Sequence, residues 1–141
     1  MFNRHSASII QIVKNNNNKT LKILIADDVP SIRKGLRTLL TLVGGLEIVG
    51  EAVNGEEAVH LAGTLNPNVV LMDLEMPVLD GFEATRRIKE LYPKCWVVAL
   101  TIHGGEVERR RAYLAGVDVF VVKGAPMKEL MAGIRGEKSN T

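Results

Sequence analysis

The fold is decided by the stretch Asn68-Val69-Val70-Leu71-Met72-Asp73, in which four apolar residues run without interruption to a single acid. A strand with one face in water alternates apolar and polar side chains, so an unbroken apolar run favours a strand that is covered on both faces. Ile23–Ala26 and Trp96–Leu100 have the same character. Three such runs in one chain predict a parallel sheet that lies between two layers of helices.

Short apolar runs alternate with amphipathic segments along most of the chain. The predicted strands are Lys22–Ala26, Leu46–Val53, Asn68–Met72, Trp96–Leu100 and Val117–Val122. Each is followed by a segment whose apolar residues recur at helical spacing, and glycine or proline marks the end of the first four of these helices. Pro126 is expected at the first position of the last helix. The alternation predicts a (βα)5 fold, an open α/β sheet with right-handed crossovers.

Composition and charge narrow the class of protein. The chain has 141 residues, of which 46% are apolar and 24% charged, as expected of one globular domain. Eighteen basic against 16 acidic residues give a net charge of +2, which is too balanced to indicate nucleic-acid binding. Cys95 is the only cysteine, which excludes a disulfide within the chain. No apolar stretch is long enough to span a membrane, so no membrane association is expected.

The two ends of the chain differ in composition from its middle. We predict a flexible N-terminal extension over residues 1–20, which contains the run Asn15–Asn18 and lacks the long apolar stretch of a secretory signal. A short helix over Ser6–Lys14 is left open. The folded domain is predicted over residues 21–136, and residues 137–141 form a C-terminal tail. With neither a signal nor a membrane span, the expected location is cytoplasmic.

Polar side chains interrupt the apolar pattern where predicted strands end. These residues are Asp27, Asp28, Asp73, Thr101 and Lys123. Because binding sites in open α/β sheets form outside the carboxyl ends of the strands, we expect all five to converge on one edge. Taken singly, either of the first two acids could be a helix N-cap, the threonine a backbone-bonded hydroxyl and the lysine a solvated strand end. We consider it less favoured that all five residues, gathered at one edge of the sheet, have only such ordinary structural roles.

The chemistry of this group is coherent. Three carboxylates held close together repel one another unless a cation neutralises them. Mg²⁺ suits such a site, since it binds one or two carboxylates and completes its shell with water and phosphate oxygens. A carboxylate can also act as a nucleophile and form an aspartyl phosphate. Lys123 would then neutralise charge, and Thr101 would donate a hydrogen bond to a phosphoryl oxygen.

The same residues carry a resemblance to a known family. The matching motifs are Ile25-Ala26-Asp27-Asp28, Leu71-Met72-Asp73-Leu74-Glu75-Met76-Pro77 with Asp80-Gly81, Leu100-Thr101, and Ala115-Gly116 through Lys123. Over about Lys22–Arg135 the chain resembles a response-regulator receiver domain of bacterial two-component signalling, most closely the NarL/FixJ-type subfamily. The resemblance implies a flavodoxin-like fold with strand order 2-1-3-4-5 and helices on both faces.

The resemblance also implies roles for the acidic residues. Asp73 matches the phosphoacceptor, which takes the phosphoryl group from a phosphohistidine on a sensor kinase. Asp28 and Asp73 match side chains that bind Mg²⁺, and Asp27 matches a second acid that orients a metal-bound water. Glu75 matches the position whose backbone carbonyl binds the metal.

Further roles are implied at the ends of the fourth and fifth strands. Thr101 and Lys123 match the switch hydroxyl and the phosphate-binding lysine. Phe120 matches an aromatic switch position, with a plain core aromatic as the alternative, and it lacks the hydroxyl of a tyrosine. Glu75 and His103, each two residues beyond a site residue, match positions that tune the rate of dephosphorylation. The alternative interpretation is that Glu75 and His103 are solvated loop side chains with no such role.

The expected function is that of a phosphoacceptor and switch rather than an enzyme. The partners implied are a sensor histidine kinase or phosphotransfer protein and a downstream protein target, with a homodimer left open and no direct nucleic-acid contact. The tail after the last helix leaves no room for an output module, so a stand-alone receiver is expected. One alternative is a receiver fragment of a DNA-binding transcription regulator. Another is an aspartyl-phosphate hydrolase, which turnover of a model phosphate ester would reveal.

Overall fold

The computed structural model describes residues 20–136, and the predicted N-terminal extension and C-terminal tail lie outside this range apart from residue 20. Within residues 20–136, five strands alternate with five helices. Their bounds are β1 Leu21–Ala26, α1 Pro30–Val43, β2 Leu46–Ala52, α2 Gly55–Leu65, β3 Val69–Asp73, α3 Gly81–Leu91, β4 Trp96–Thr101, α4 Glu106–Ala115, β5 Val119–Val122 and α5 Met127–Ile134. The predicted (βα)5 pattern is confirmed.

The five strands form one parallel sheet in the order β2-β1-β3-β4-β5. This is the order that the resemblance implied. β3 lies at the centre, and all five of its residues are buried. The uninterrupted apolar run that ends at Asp73 is therefore explained by a strand with neighbours on both edges and helices on both faces.

Two apolar layers hold the helices against the sheet. One layer contains Leu24, Val70 and Met72 from the strands and Phe82 and Ile88 from α3. The second is built on the opposite face of the same strands and is covered by α1 and α5. Its buried members include Ile23, Ile25, Leu71, Val98, Leu40 and Ile134. Alternate residues of one strand thus enter different layers, as the two-residue repeat of a strand requires.

Each of the five predicted strands differs from the structure by one or two residues at one end or at both. β5 begins at Val119 rather than Val117, because the N–H of Val117 still bonds the Ala112 carbonyl at the end of α4. Pro126 lies at the N-cap of α5 rather than at its first position. In the described part of the chain, no helix is both long and apolar enough to cross a membrane.

The edge of the sheet formed by the amino ends of the strands carries the single cysteine and the single tryptophan. Cys95 is 5% exposed, and burial raises the pKa of its thiol to about 11. Trp96 begins β4. Its Nε1–H donates at 2.8 Å to the carbonyl of Gly133, which lies in the last turn of α5. Both residues lie a full strand length, about 16 Å, from the carboxyl edge.

Candidate functional site

Three acids meet at the carboxyl edge of the sheet. Asp27 and Asp28 follow β1, and Asp73 ends β3, which is hydrogen-bonded to β1. One carboxylate oxygen from each acid lies within 4.8 Å of the others, with Asp27 and Asp73 buried and Asp28 exposed. Neither Asp27 nor Asp28 caps a helix, since the N-cap of α1 is Val29. Asp27 Oδ1 instead accepts the Val29 N–H at 2.8 Å, a local turn that fixes this carboxylate.

Lys123 reaches the acids from the carboxyl end of β5, the outermost strand beyond β4. It follows β5, and its Nζ donates to Asp27 Oδ2 at 2.8 Å and lies 3.5 Å from Asp73 Oδ2. Burial acts to lower the pKa of Lys123, but the hydrogen bond to Asp27 and the charges of both acids outweigh it, so the pKa is raised above its ordinary value. The ammonium therefore stays charged at neutral pH and offsets part of the repulsion among the carboxylates.

The carboxyl of Asp73 has a pKa well above its ordinary value. Burial raises its pKa to about 6, although the Glu75 N–H, which donates to Oδ1 at 3.1 Å, and the charge of Lys123 act in the opposite direction. The negative charge of Asp27 adds to the increase. The ionised form of Asp73 is thus held at a free-energy cost, which a bound cation would relieve.

A hydroxyl and a pair of polar loop residues complete the edge. Thr101 ends β4 and is buried, and its Oγ1 accepts the His103 N–H at 3.1 Å. Because the oxygen is the acceptor, the hydroxyl proton remains available to another oxygen. His103 Nε2 lies 3.2 Å from Glu75 Oε1, and both side chains are more than half exposed. The structure therefore brings together the two residues expected to affect dephosphorylation.

The aromatic switch candidate lies beneath a cation. Phe120 in β5 is buried in the apolar layer that α2, α3 and α4 cover. The guanidinium carbon of Arg109, on α4, is 5.2 Å from the centre of the ring, a cation–π distance. This contact joins α4, which carries Arg109, to β5, which carries the predicted switch residue Phe120.

Comparison with known proteins shows the family of the chain. The family profile described as "Response regulator receiver domain" matches residues 23–135. The chain belongs to this family. As a class, receiver domains are phosphoacceptors of two-component response regulators rather than enzymes, bind Mg²⁺ at an acidic site and interact with histidine kinases and phosphotransfer proteins.

One curated protein with a similar sequence is a response regulator. "Response regulator GacA" of Pseudomonas syringae pv. syringae is 38% identical over 115 residues, which are 82% of this chain and 54% of that protein. The receiver thus spans about half the length of this curated relative.

Two solved structures are also similar. A LuxR-family two-component response regulator from Aurantimonas sp. SI85-9A1 has a TM-score of 0.79 and 32% identity, covering 84% of this chain and 88% of that one. A CheX–CheY complex with BeF3 and Mg²⁺ from Borrelia burgdorferi has a TM-score of 0.76 and 26% identity, covering 82% and 87%. The LuxR-family neighbour supports the NarL/FixJ-type resemblance.

The loop after β3 holds the receiver's Asp73 by close backbone contacts. The Gly81 N–H donates to the Leu74 carbonyl at 3.1 Å, and a Cβ on Gly81 would overlap the backbone oxygen of Asp73. The N–H of Gly55, at the start of α2, donates to the Leu79 carbonyl at 3.0 Å. Only glycine allows the approach at position 81, which explains why Asp80-Gly81 belongs to the family motif.

The same loop contains a strained residue. Val78 has φ 70, and the Leu79 N–H donates to the Pro77 carbonyl at 2.7 Å across it, which forms a γ-turn. A β-branched residue at positive φ costs on the order of 1–3 kcal/mol, and Val78 is 74% exposed, so its side chain recovers little of this by burial.

We expect Val78→Gly to raise the free energy of unfolding by about 1 kcal/mol, since the relieved strain exceeds the entropy that glycine adds to the unfolded chain. Urea denaturation measures the change. The control is Val107→Gly, which removes an equally exposed valine from α4 and is expected to lower stability. Destabilisation by both variants would contradict the strain at Val78.

Sequence reasoning missed an ion network beside the acids. Arg33, on α1, donates from Nη1 to the Asp27 carbonyl at 2.6 Å and from Nε to Glu51 Oε1 at 3.1 Å. Arg37, one turn along, donates to Glu51 Oε2 at 2.7 Å. This bond is the main cause that holds the pKa of Glu51 below its ordinary value. The available signal was the i, i+4 pair of arginines opposite an acid in a strand.

Proposed function

We propose that this receiver accepts a phosphoryl group on Asp73 and thereby switches its contacts with other proteins. The observation that carries the proposal is the junction of Asp73 with Asp27, Asp28 and Lys123 at one edge of the sheet. In the proposed step, an Asp73 carboxylate oxygen attacks the phosphorus of a phosphohistidine on a sensor kinase or phosphotransfer protein. The new O–P bond forms as the P–N bond breaks, and the imidazole keeps the electron pair.

Mg²⁺ fits the residues present. The side chains of Asp28 and Asp73 and the Glu75 backbone carbonyl are proposed to hold it, with Asp27 orienting a bound water. The donor set is all oxygen, and the three carboxylates lie close enough to need a cation. When bound, the ion would supply positive charge to the phosphoryl oxygens.

The remaining residues act around the acceptor. Lys123, already 3.5 Å from Asp73 Oδ2, is proposed to neutralise a phosphoryl oxygen, and Thr101 to donate its hydroxyl proton to another. Thr101 and Phe120 lie in the adjacent strands β4 and β5. A change at the threonine therefore reaches the ring, the Arg109 contact and α4, the surface proposed to meet a downstream protein.

The partners and location remain part of the proposal. We propose a sensor histidine kinase or phosphotransfer protein as donor, a downstream protein target, a second copy of the chain as a further contact, and a cytoplasmic setting. Phosphotransfer from each purified kinase of the source organism identifies the donor. A kinase that labels the receiver far faster than the others is the expected result.

The direct test uses a small phosphodonor. The full chain is incubated with acetyl phosphate and Mg²⁺, and its intact mass is measured. We expect the gain of one phosphoryl group, lost when a chelator removes Mg²⁺. Unchanged mass with the metal present would contradict the proposal, and turnover of a phosphate ester would favour a hydrolase.

Glu75 and His103 are expected to set the lifetime of the phosphorylated state. Their 3.2 Å contact places an acceptor and a second polar group at the loops beyond Asp73 and Thr101, where they can hold an attacking water. We expect Glu75→Ala and His103→Ala each to change the dephosphorylation rate several-fold while leaving labelling intact. The decay of phosphorylated mass over time measures it. Rates equal to wild type in both variants would make the two residues bystanders.

A further inference from the structure

The guanidinium of Arg33 holds the peptide group between Asp27 and Asp28. Its Nη1 donates to the Asp27 carbonyl at 2.6 Å, and its side chain is only 13% exposed. The carbonyl of Asp27 belongs to the same peptide plane as the amide nitrogen of Asp28. A hydrogen bond to that oxygen therefore restricts the rotation that would swing Asp28 away from the other acids.

The other groups of Asp27 are fixed by separate partners. Its N–H donates to the Ala52 carbonyl at 3.0 Å, and its carboxylate accepts from Val29 and Lys123. Asp28 differs, because its carboxylate has no hydrogen bond or ion pair with any side chain of residues 20–136. Its direction depends on the backbone around it, which the turn from Asp27 Oδ1 to the Val29 N–H and the bond from Arg33 to the Asp27 carbonyl both hold.

Glu51 gives Arg33 a fixed orientation. Oε1 accepts from Arg33 at 3.1 Å, while Oε2 accepts from Arg37 at 2.7 Å, so one carboxylate lies between two guanidinium groups. Arg37 is 45% exposed, and its hydrogen bond goes to Glu51 and not to Asp27. The two arginines thus share a partner but only one of them contacts the site.

We propose that Arg33 is a positioning residue for the metal site, which acts by holding the Asp27–Asp28 peptide so that the Asp28 carboxylate faces the other acids. This inference rests on the proposed function, in which Asp28 binds Mg²⁺. The preorganised peptide lowers the ordering cost of binding the ion. Loss of such a supporting contact commonly reduces metal affinity about 10- to 100-fold.

The test compares Arg33→Met with Arg37→Met in the full chain. Both remove one ion pair with Glu51 and keep a long apolar stem, but Arg33→Met also loses the bond to the Asp27 carbonyl and is expected to lose more stability in urea. Mg²⁺ affinities are therefore compared under conditions in which urea curves show both variants fully folded. Mg²⁺ titration followed by calorimetry is expected to give an affinity about tenfold weaker for Arg33→Met. Arg37→Met is expected to stay within about twofold of wild type. Equal Mg²⁺ affinities for the two variants would overturn the inference.

A spectroscopic measurement separates positioning from general destabilisation. The ¹⁵N resonance of the Asp28 amide reports the hydrogen bond of the carbonyl before it, and is expected to shift in Arg33→Met but not in Arg37→Met, even without Mg²⁺. An unshifted Asp28 resonance in Arg33→Met would overturn the contact itself. If wild type binds no Mg²⁺, the proposed metal site fails, which is distinct from equal binding by the two variants.

Glu51→Gln keeps the experiment decisive if Arg33→Met does not fold. This change preserves both arginines and the volume at position 51 but removes the charge that orients them. We expect a several-fold loss of Mg²⁺ affinity with the Asp28 resonance shifted in the same direction. Unchanged affinity together with an unchanged resonance would count against Arg33.

Discussion

Asp73→Asn is expected to abolish phosphorylation of the receiver by a small phosphodonor. The amide oxygen of asparagine is a poor nucleophile and carries no charge to attack phosphorus, whereas the buried Asp73 carboxylate lies beside Lys123 and two further acids. Intact-mass measurement should show one added phosphoryl group on wild type and none on the variant. Asp80→Asn, which changes another acid of the same loop outside the cluster, is expected to keep labelling. Equal labelling of wild type and Asp73→Asn would remove Asp73 as the acceptor.

The same variant is expected to be more stable than wild type when Mg²⁺ is absent. The pKa of Asp73 is about 6 in the folded chain and near 3.8 in the unfolded chain. Between pH 3.8 and 6 the folded chain therefore binds more protons at this group than the unfolded chain does. Stability from this group therefore falls as the pH rises from about 4 to 6. Asparagine cannot ionise and avoids the loss, which corresponds to about 1–3 kcal/mol above pH 6.

This pH dependence is measurable by urea denaturation of both proteins. The difference in unfolding free energy should be small near pH 4, increase to about pH 6 and then stay constant. Added Mg²⁺ should reduce it by stabilising the ionised carboxylate of wild type. A difference that decreases over this range would mean that the carboxyl is ionised more easily in the fold than outside it.

Asp28→Ala is expected to remove saturable Mg²⁺ binding at millimolar concentrations. Asp28 is the exposed acid of the cluster and has no side-chain partner among residues 20–136, so its loss should leave the fold unchanged. Removing one of two carboxylate ligands from a hard cation is expected to weaken binding at least about tenfold. Amide NMR shifts of the loops after β1 and β3 measure the affinity.

Glu47→Ala is the matched control for Asp28→Ala. It removes an exposed acid from β2 near the amino edge of the sheet and should leave Mg²⁺ affinity unchanged. Trp96 fluorescence should respond to unfolding rather than to the ion, because the indole lies at the opposite end of β4. Wild-type affinity retained by Asp28→Ala would exclude this carboxylate as a ligand.

The apolar runs were sufficient to predict a parallel sheet, because a strand buried on both faces leaves an unambiguous pattern. They carry no information about which strands are neighbours, so the order 2-1-3-4-5 came only from the family resemblance. The convergence of Asp27, Asp73, Thr101 and Lys123 was predictable for a geometric reason. Parallel strands all end at the same edge, whatever their order.

The spacing of Arg33 and Arg37 indicates a shared acidic partner, but residue spacing does not predict the contact between Arg33 and the Asp27 carbonyl. The bond from Arg33 to Asp27 depends on how α1 packs against β2, where Glu51 orients the guanidinium. The positive φ of Val78 has no sequence signal, since valine is among the residues least expected there. The first feature depends on tertiary packing, and the second is a local turn that the residue type does not indicate.

The inert thiol of Cys95 makes the receiver convenient for site-specific dye attachment. With a pKa of about 11 and 5% exposure, the thiol is protonated at pH 7 and shielded from reagents in solution. A cysteine introduced at Leu114 on α4, which is 80% exposed, would therefore react with a maleimide fluorophore in the presence of the native residue. Changes at α4 could then be followed optically in real time, in the otherwise unaltered chain.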